Sequence, residues 1–330
     1  MAVAPYALAF AGKYSVEVLH LHSDYTIANP SPVHDQEHLV AANFVVETLQ
    51  GLEPAPGLGT NRLCTALDSP GKWLREDPDA FPPHTCVRED YLTGCLPRDV
   101  SVSRGQSGLA WWQPDCALQQ LTSTQLSSCL ASKKLCLMGD SHMRHLYNSV
   151  VDLLEGNFGK AAPESKEFRP SNVVSYFEDF WGHASLTGSE GCDVIIRNTG
   201  AWHVAWSMSK EGRAKPDLFD YIQRVSNIAL GMGLARDKGS QLIWMTTNGQ
   251  PISLAVHKYK RFEHRDYRID PMLLAINRVA NMHMAVHNIT IFDTWSMTNP
   301  VADTSFDGIH YAGDVAYFMA MRLLNYVCQA

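Results

Sequence analysis

Leu135-Cys136-Leu137-Met138-Gly139-Asp140-Ser141-His142-Met143-Arg144, continued by His145 to Leu154, is the stretch on which the fold turns. The apolar run Leu135–Met138 has the length of a buried strand rather than of a helix. Gly139-Asp140-Ser141 breaks it. Beyond the break, Met143, Leu146, Tyr147, Val150, Val151 and Leu154 recur at three-to-four spacing, which gives a helix one buried face. A strand that enters a helix through a tight polar turn opens a β-α unit. Ser141 lies at that turn, beside its own backbone N–H and the positive end of the helix. Two readings of it are open here: an activated hydroxyl, or a helix N-cap, a role that serine fills well.

The same texture repeats outward from this unit. Val173–Phe177, Val194–Ile196, Leu242–Met245 and Ile289–Phe292 are strand candidates; Met143–Leu154, Leu218–Leu234, Met272–Val286 and Val315–Val327 are helix candidates. Alternating strands and helices argue for a parallel sheet covered on both faces, a three-layer α/β/α sandwich. In such sheets the site lies beyond the carboxyl ends of the strands. The polar clusters fall there: Gly139-Asp140-Ser141, Asn198-Thr199-Gly200, Thr246-Thr247-Asn248 and Asp293.

A serine nucleophile needs a base, and the base needs an orienting carboxylate. Phe306-Asp307-Gly308-Ile309-His310-Tyr311, just before the last helix, offers both, three residues apart. Alone, Asp-x-x-His is a weak signal; after Gly-Asp-Ser in this chain order the two motifs reinforce each other. His142, His145 and His203 flank the predicted site, but no carboxylate or cysteine cluster joins them, so they read as pocket lining and no metal is expected.

These blocks resemble the SGNH (GDSL-type) hydrolase superfamily and, within it, the PC-esterase group. Gly71-Lys72-Trp73-Leu74-Arg75-Glu76-Asp77, Trp112-Gln113-Pro114-Asp115-Cys116-Ala117-Leu118, Gly139-Asp140-Ser141 with Arg144, and Asn198-Thr199-Gly200-Ala201-Trp202 are similar to blocks of the trichome birefringence-like O-acetyltransferases. Asp293–Thr298, Asp307–His310 and Leu324–Cys328 resemble neurexophilin-and-PC-esterase-domain proteins. The resemblance spans about Asn61 to Cys328. It implies Ser141 as nucleophile, His310 as base and Asp307 as its orienter, with an oxyanion hole from Ser141, Asn198 and Gly200. Gly139 and Asp140 shape the turn; Arg144, Trp202 and His203 are substrate-binding candidates. Of the other tryptophans, Trp111, Trp112, Trp181 and Trp206 read as core. The implied reaction is acyl transfer on a glycan or polysaccharide, with no cofactor beyond an acyl donor such as acetyl-CoA or an acetylated sugar. Asp-Gly-Ile-His-Tyr departs from the plant ending, and Trp244–Gly249 lacks a basic residue common there, so acceptor specificity does not transfer. The alternative is a catalytically inactive secreted module that binds glycan or protein in the same cleft.

With 330 residues, 45% hydrophobic, the chain can bury a large core. Its net charge of -7 offers no basic surface for nucleic acid. No apolar run approaches the ~18 residues of a membrane span. Five of the eight cysteines, Cys64, Cys86, Cys95, Cys116 and Cys129, fall in a weakly periodic stretch, followed by Cys136, Cys192 and Cys328. This reads as a cysteine-rich N-terminal extension, 64–129, stapled by disulfides of unreadable connectivity. One glycosylation sequon, Asn288-Ile289-Thr290, is present, a pattern common by chance.

Residues 1–27 read as two short strands, Tyr6–Phe10 and Tyr14–His20, and Gly12–Val18 resembles the closing strands of an immunoglobulin- or filamin-like module. Residues 28–60, rich in proline and glycine, read as a linker around an extended Leu39–Leu49, and 61–330 as the acyl-transfer domain. Residues 1–11 lack the marks of a signal peptide. Disulfides and the family resemblance nevertheless imply the secretory pathway, Golgi lumen or secreted, with a truncated start or a longer, membrane-anchored form.

Overall fold

A computed structural model describes residues 12–23, 33–46, 71–75, 109–112, 118–156, 171–177, 191–205, 218–236, 238–250 and 270–329, with positions 64, 66, 67, 116 and 268. Two compact units divide the chain, Met1–Gly59 and Thr60–Ala330. The first is an antiparallel pair, β1 (Gly12–Ser23) and β2 (Val33–Val46), in register from Gly12↔Val46 through Val18↔Val40 and shifted beyond it. The segment read as a linker therefore holds a full strand. Its prolines, Pro30, Pro32, Pro54 and Pro56, stand outside Val33–Val46 and bound the strand rather than interrupt it. The expected strand at Tyr6–Phe10 lies outside the described residues, as do Cys86, Cys95, Trp181 and Trp206.

The second unit is built on a five-stranded sheet, all parallel: β5 (Leu135–Gly139), β6 (Val173–Phe177), β7 (Val194–Arg197), β8 (Gln241–Met245) and β9 (Thr290–Phe292). Their order across the sheet is β6-β5-β7-β8-β9. The chain thus leaves β5 to one side for β6 and returns to the other side for β7. β5 is the switch point of the topology, where open α/β sheets leave a crevice at the strand ends. The predicted strands match these five in position, to within a residue or so.

Side chains alternate between two cores. Leu135 and Leu137 of β5 join one cluster, Cys136 and Met138 the other. A strand buried on both faces cannot show polar alternation, which is why β5 reads as a continuous apolar run. On the first face lie α1 (Ser123–Leu130), α2 (Ser141–Leu154) and α6 (Gly313–Gln329). On the second lie α3 (Leu218–Arg236) and α4 (Asp270–Val286). Short α5 (Trp295–Thr298) and a 3₁₀ segment, Asn299–Thr304, follow β9. The result is the three-layer α/β/α sandwich expected.

A small hairpin, β3 (Lys72–Arg75) and β4 (Leu109–Trp112), carries the two tryptophan blocks against the first core. Trp73 meets Trp111 edge-on at 5.1 Å and Phe318 of α6 at 5.8 Å. Trp111 is a core residue, as its composition suggested.

Three disulfides are present among the described residues, and no described cysteine is free. Cys64–Cys116 lies within the cysteine-rich stretch. Cys129–Cys328 ties the end of α1 to the end of α6, and Cys136–Cys192 ties β5 to the approach of β7. They span 52, 199 and 56 residues respectively. If stabilisation comes mainly from restricting the unfolded chain, Cys129→Ser with Cys328→Ser should cost about 2–5 kcal/mol, roughly 1 kcal/mol more than either shorter bridge. Urea midpoints of the three double variants decide this; equal losses would refute the chain-entropy account.

Candidate active site

The site begins at the junction of β5 and α2. Asp140, not Ser141, caps the helix: its Oδ1 accepts the His142 N–H at 2.9 Å. Ser141 is therefore released from capping and becomes the first helical residue. Asn198, from the end of neighbouring β7, clasps the same aspartate. Its Oδ1 accepts the Asp140 N–H and its Nδ2 donates to Asp140 Oδ1, both at 3.3 Å. Gly139 is required for this closeness, since a Cβ there would overlap Asn198 Oδ1. Burial pushes the Asp140 carboxyl up from its usual range, partly offset by those hydrogen bonds.

The C-terminal loop closes over this turn. Phe306 N–H donates to the His310 carbonyl at 3.3 Å, and Ser305 Oγ donates to the same oxygen at 2.9 Å. Inside that loop Asp307 Oδ1 accepts the backbone N–H of Ile309 at 3.0 Å and of His310 at 2.8 Å. Its other oxygen, Oδ2, lies 2.8 Å from His310 Nδ1, and His310 Nε2 lies 2.8 Å from Ser141 Oγ. A carboxylate acceptor at Nδ1 places the ring proton there and leaves Nε2 to accept from the hydroxyl. Ser141, Asp307 and His310 are all buried. Burial raises the Asp307 carboxyl, but the His310 ring and the two backbone N–H groups outweigh it and hold the group at about 2.

Strand-end contacts fix where this loop sits. Tyr311 donates its hydroxyl to the Gly249 carbonyl at 2.9 Å. Gly249 N–H donates to Thr298 Oγ1 at 2.8 Å, and Asn277 of α4 clasps Thr247 by both its amide groups, at 2.8 and 2.9 Å. Of these residues only Asn277 lies outside the motifs and polar clusters that the sequence singles out; it acts by holding the backbone of Thr247.

Rings surround the histidine. His145, one turn along α2 from Ser141, lies 4.5 Å from His310 at 33°. His142 meets it edge-on at 5.5 Å. Burial and the nearby His310 push His142 well below its ordinary range and His145 down to about 3, so both are neutral.

Other predicted residues are placed less centrally. Gly200 is not brought to the Ser141 turn by any hydrogen bond. A Cβ there would overlap Ile276 and stand 2.5 Å from Thr247 Oγ1, so the glycine serves close packing beside β8. His203 packs edge-on to Tyr221 at 5.2 Å, and burial lowers it to about 4. Arg144 is exposed on the first turn of α2, and Trp202 is half-buried in the loop after β7. No His/Cys/Asp/Glu group able to hold a metal occurs among the described residues.

No family model matches the chain. It is similar to the protein trichome birefringence of Arabidopsis thaliana, 24% identical over 197 residues, 48% of this chain and 31% of the relative. The chain thus spans under a third of that relative's length. Among solved structures it is similar to a GDSL-like lipase from Bacteroides thetaiotaomicron: 12% identity, TM-score 0.41, covering 63% of this chain and 97% of that one. It is also similar to an acetyl xylan esterase from Geobacillus stearothermophilus: 13% identity, TM-score 0.39, covering 59% and 94%. The plant relative carries the name of the group that the sequence blocks resemble.

The protonation states bear on stability. His142 and His145 stay neutral when folded but bind protons when unfolded below about pH 6.5. The unfolded chain then holds more protons, so stability is full above that pH and falls as pH drops through it. Asp307 has the depressed acid's pattern: a contribution present above pH ~4 and lost as pH falls toward 2. Urea midpoints at pH 7 and pH 5 should therefore differ, and His145→Asn should shrink the difference. An unchanged difference in that variant would show that His145 is not held neutral.

Proposed function

We propose that this chain is a serine acyl-transfer enzyme that works through an acyl-enzyme on Ser141, as a glycan acetylesterase or O-acetyltransferase. The observation that carries the reading is the Asp307–His310–Ser141 hydrogen-bonded chain, 2.8 Å at each link, at the topological switch point. The resemblance of the sequence blocks to the O-acetyltransferase group supports the glycan part, and the disulfides support a secretory-pathway setting.

The chemistry follows from the geometry. As Ser141 Oγ bonds to the acyl carbon, its proton passes to His310 Nε2 and the carbonyl pair moves onto oxygen. Asp307 holds the imidazolium that forms. The N–H of Ser141 has no partner within α2 and lies at the helix N-terminus, suited to the oxyanion. Asn198 Nδ2 has a second hydrogen beyond the one used on Asp140, and supplies the other donor. Collapse breaks the bond to the leaving group, C–O of a sugar ester or C–S of the acetyl-CoA thioester, and the departing alkoxide or thiolate takes the proton from His310. Water or a sugar hydroxyl then repeats the sequence on the acyl-enzyme, giving hydrolysis or transfer. The acyl donor is an acetylated sugar or acetyl-CoA, and no other cofactor takes part.

Ser141→Ala, His310→Ala and Asp307→Asn should each lower kcat on 4-nitrophenyl acetate by at least about 10³-fold while leaving the fold intact. Ser141→Ala with His310→Ala should be no worse than Ser141→Ala alone, because the three act as one unit. Full turnover by Ser141→Ala would end this reading.

Asn198→Ala should lower kcat about 100-fold with little change in KM, since the oxyanion bond forms fully only in the transition state. Its clasp on Asp140 also predicts a loss of stability, so the comparison is made on folded protein. An unaltered kcat would remove Asn198 from the oxyanion hole.

A further inference from the structure

Phe306 stands immediately before Asp307, and the loop closure described above sets it beside the histidine. Its ring lies 6.1 Å from His310 at 26° and 5.7 Å from His145 at 58°. Yet it is 50% exposed. The other large exposed apolar residues among those described, Phe219, Ile222, Leu230, Leu234, Met282 and Val286, all lie on α3 and α4. Phe306 alone among them belongs to the loop that carries the base.

Holding His310 does not require it. Asp307 grips one ring nitrogen, Ser141 Oγ meets the other, and His145 covers the ring at 4.5 Å. An aromatic ring left half bare costs free energy unless something covers it. The ring is stacked on the histidine whose Nε2 must face the reacting ester, and half of its surface is still open to a ligand. Of the groups nearest the ring, His142 and His145 are uncharged and Asp307 is paired, while Arg144 stands next to His145 in α2. A pyranose suits such a ring, with a C–H-rich face for an aromatic plane and hydroxyls for the polar rim.

We propose that Phe306 is a specificity-determining residue, a stacking platform for the sugar ring that bears the ester next to His310. The proposal rests on the acyl-transfer reading above and adds to it the group that selects a sugar over other alcohols. A competing role, in which Phe306 merely shields the Asp307–His310 pair from water, makes different demands: it would act on every ester alike and would move the pH profile.

The test compares xylose tetraacetate with ethyl acetate, which has no ring to stack. Phe306→Ala should raise KM for the sugar ester about tenfold relative to its effect on ethyl acetate, with the loss in KM rather than kcat. Phe306→Trp should restore most of it, and the pH dependence of kcat/KM should keep its shape. Equal losses on both esters, a loss confined to kcat, or a displaced pH profile in Phe306→Ala would overturn the platform. Failure of the underlying reading looks different: the unmodified protein would turn over neither ester, or Ser141→Ala would be as active as the parent.

Discussion

Everything in this site depends on a clasp between two neighbouring strand ends. Asp140 is held by Asn198 through two reciprocal hydrogen bonds, and Asp140 in turn caps α2. Burying a carboxylate is costly unless it is bonded; here the backbone N–H of His142 and the Asn198 amide both bond Oδ1, while Oδ2 is buried without a partner, so burial still raises the group. The clasp tolerates nothing but glycine at position 139, because the amide of Asn198 occupies the space a side chain would need. One consequence is chemical: with aspartate in the capping role, the serine hydroxyl has no structural duty and is left to the histidine.

The second half of the site reaches the first over a long sequence distance, 169 residues between Ser141 and His310. Such a contact is costly to close, and the fold secures it by redundancy. The loop is fastened internally by Asp307 and Ser305, and laterally by Tyr311 to the end of β8. Behind it, α6 packs on the first core together with α2, and Cys129–Cys328 ties its far end to α1. The ends of β7, β8 and β9 are also joined to one another, through Thr247 to the Thr199 carbonyl and Thr294 to the Thr246 carbonyl. A rigid frame of this kind is what positions a hydroxyl and an imidazole within hydrogen-bond reach before any ligand arrives.

Much of this was legible in the residues. The five sheet strands could be read because each is a short apolar run bounded by polar turn residues, and the helices because their buried faces recur at helical spacing. Ser141, Asp307 and His310 were legible because the chemistry demands those residue types together and the chain holds few such motifs. Other features were not. Val33–Val46 carries His34, Asp35, Glu37 and His38 in its first half and no clean alternation, so its pairing with β1 leaves no period-two trace. The close packing of Gly200 against Thr247 and Ile276 was not legible, because a glycine at a strand end gives no sign of its neighbours. The cysteine pairing was hidden for a similar reason: Cys129 and Cys328 meet only once α1 and α6 share a face. Phe306 escaped notice because its meaning lies in exposure beside His310, which spacing does not reveal.

The most direct test of the central claim is to trap the intermediate. The protein is mixed with 4-nitrophenyl acetate, quenched in acid within the first turnover, digested and mapped by mass spectrometry. The account predicts one acetyl group on Ser141, absent in Ser141→Ala and strongly reduced in His310→Ala. An acetyl group found on another residue, or turnover of the ester with Ser141 never modified, would contradict it.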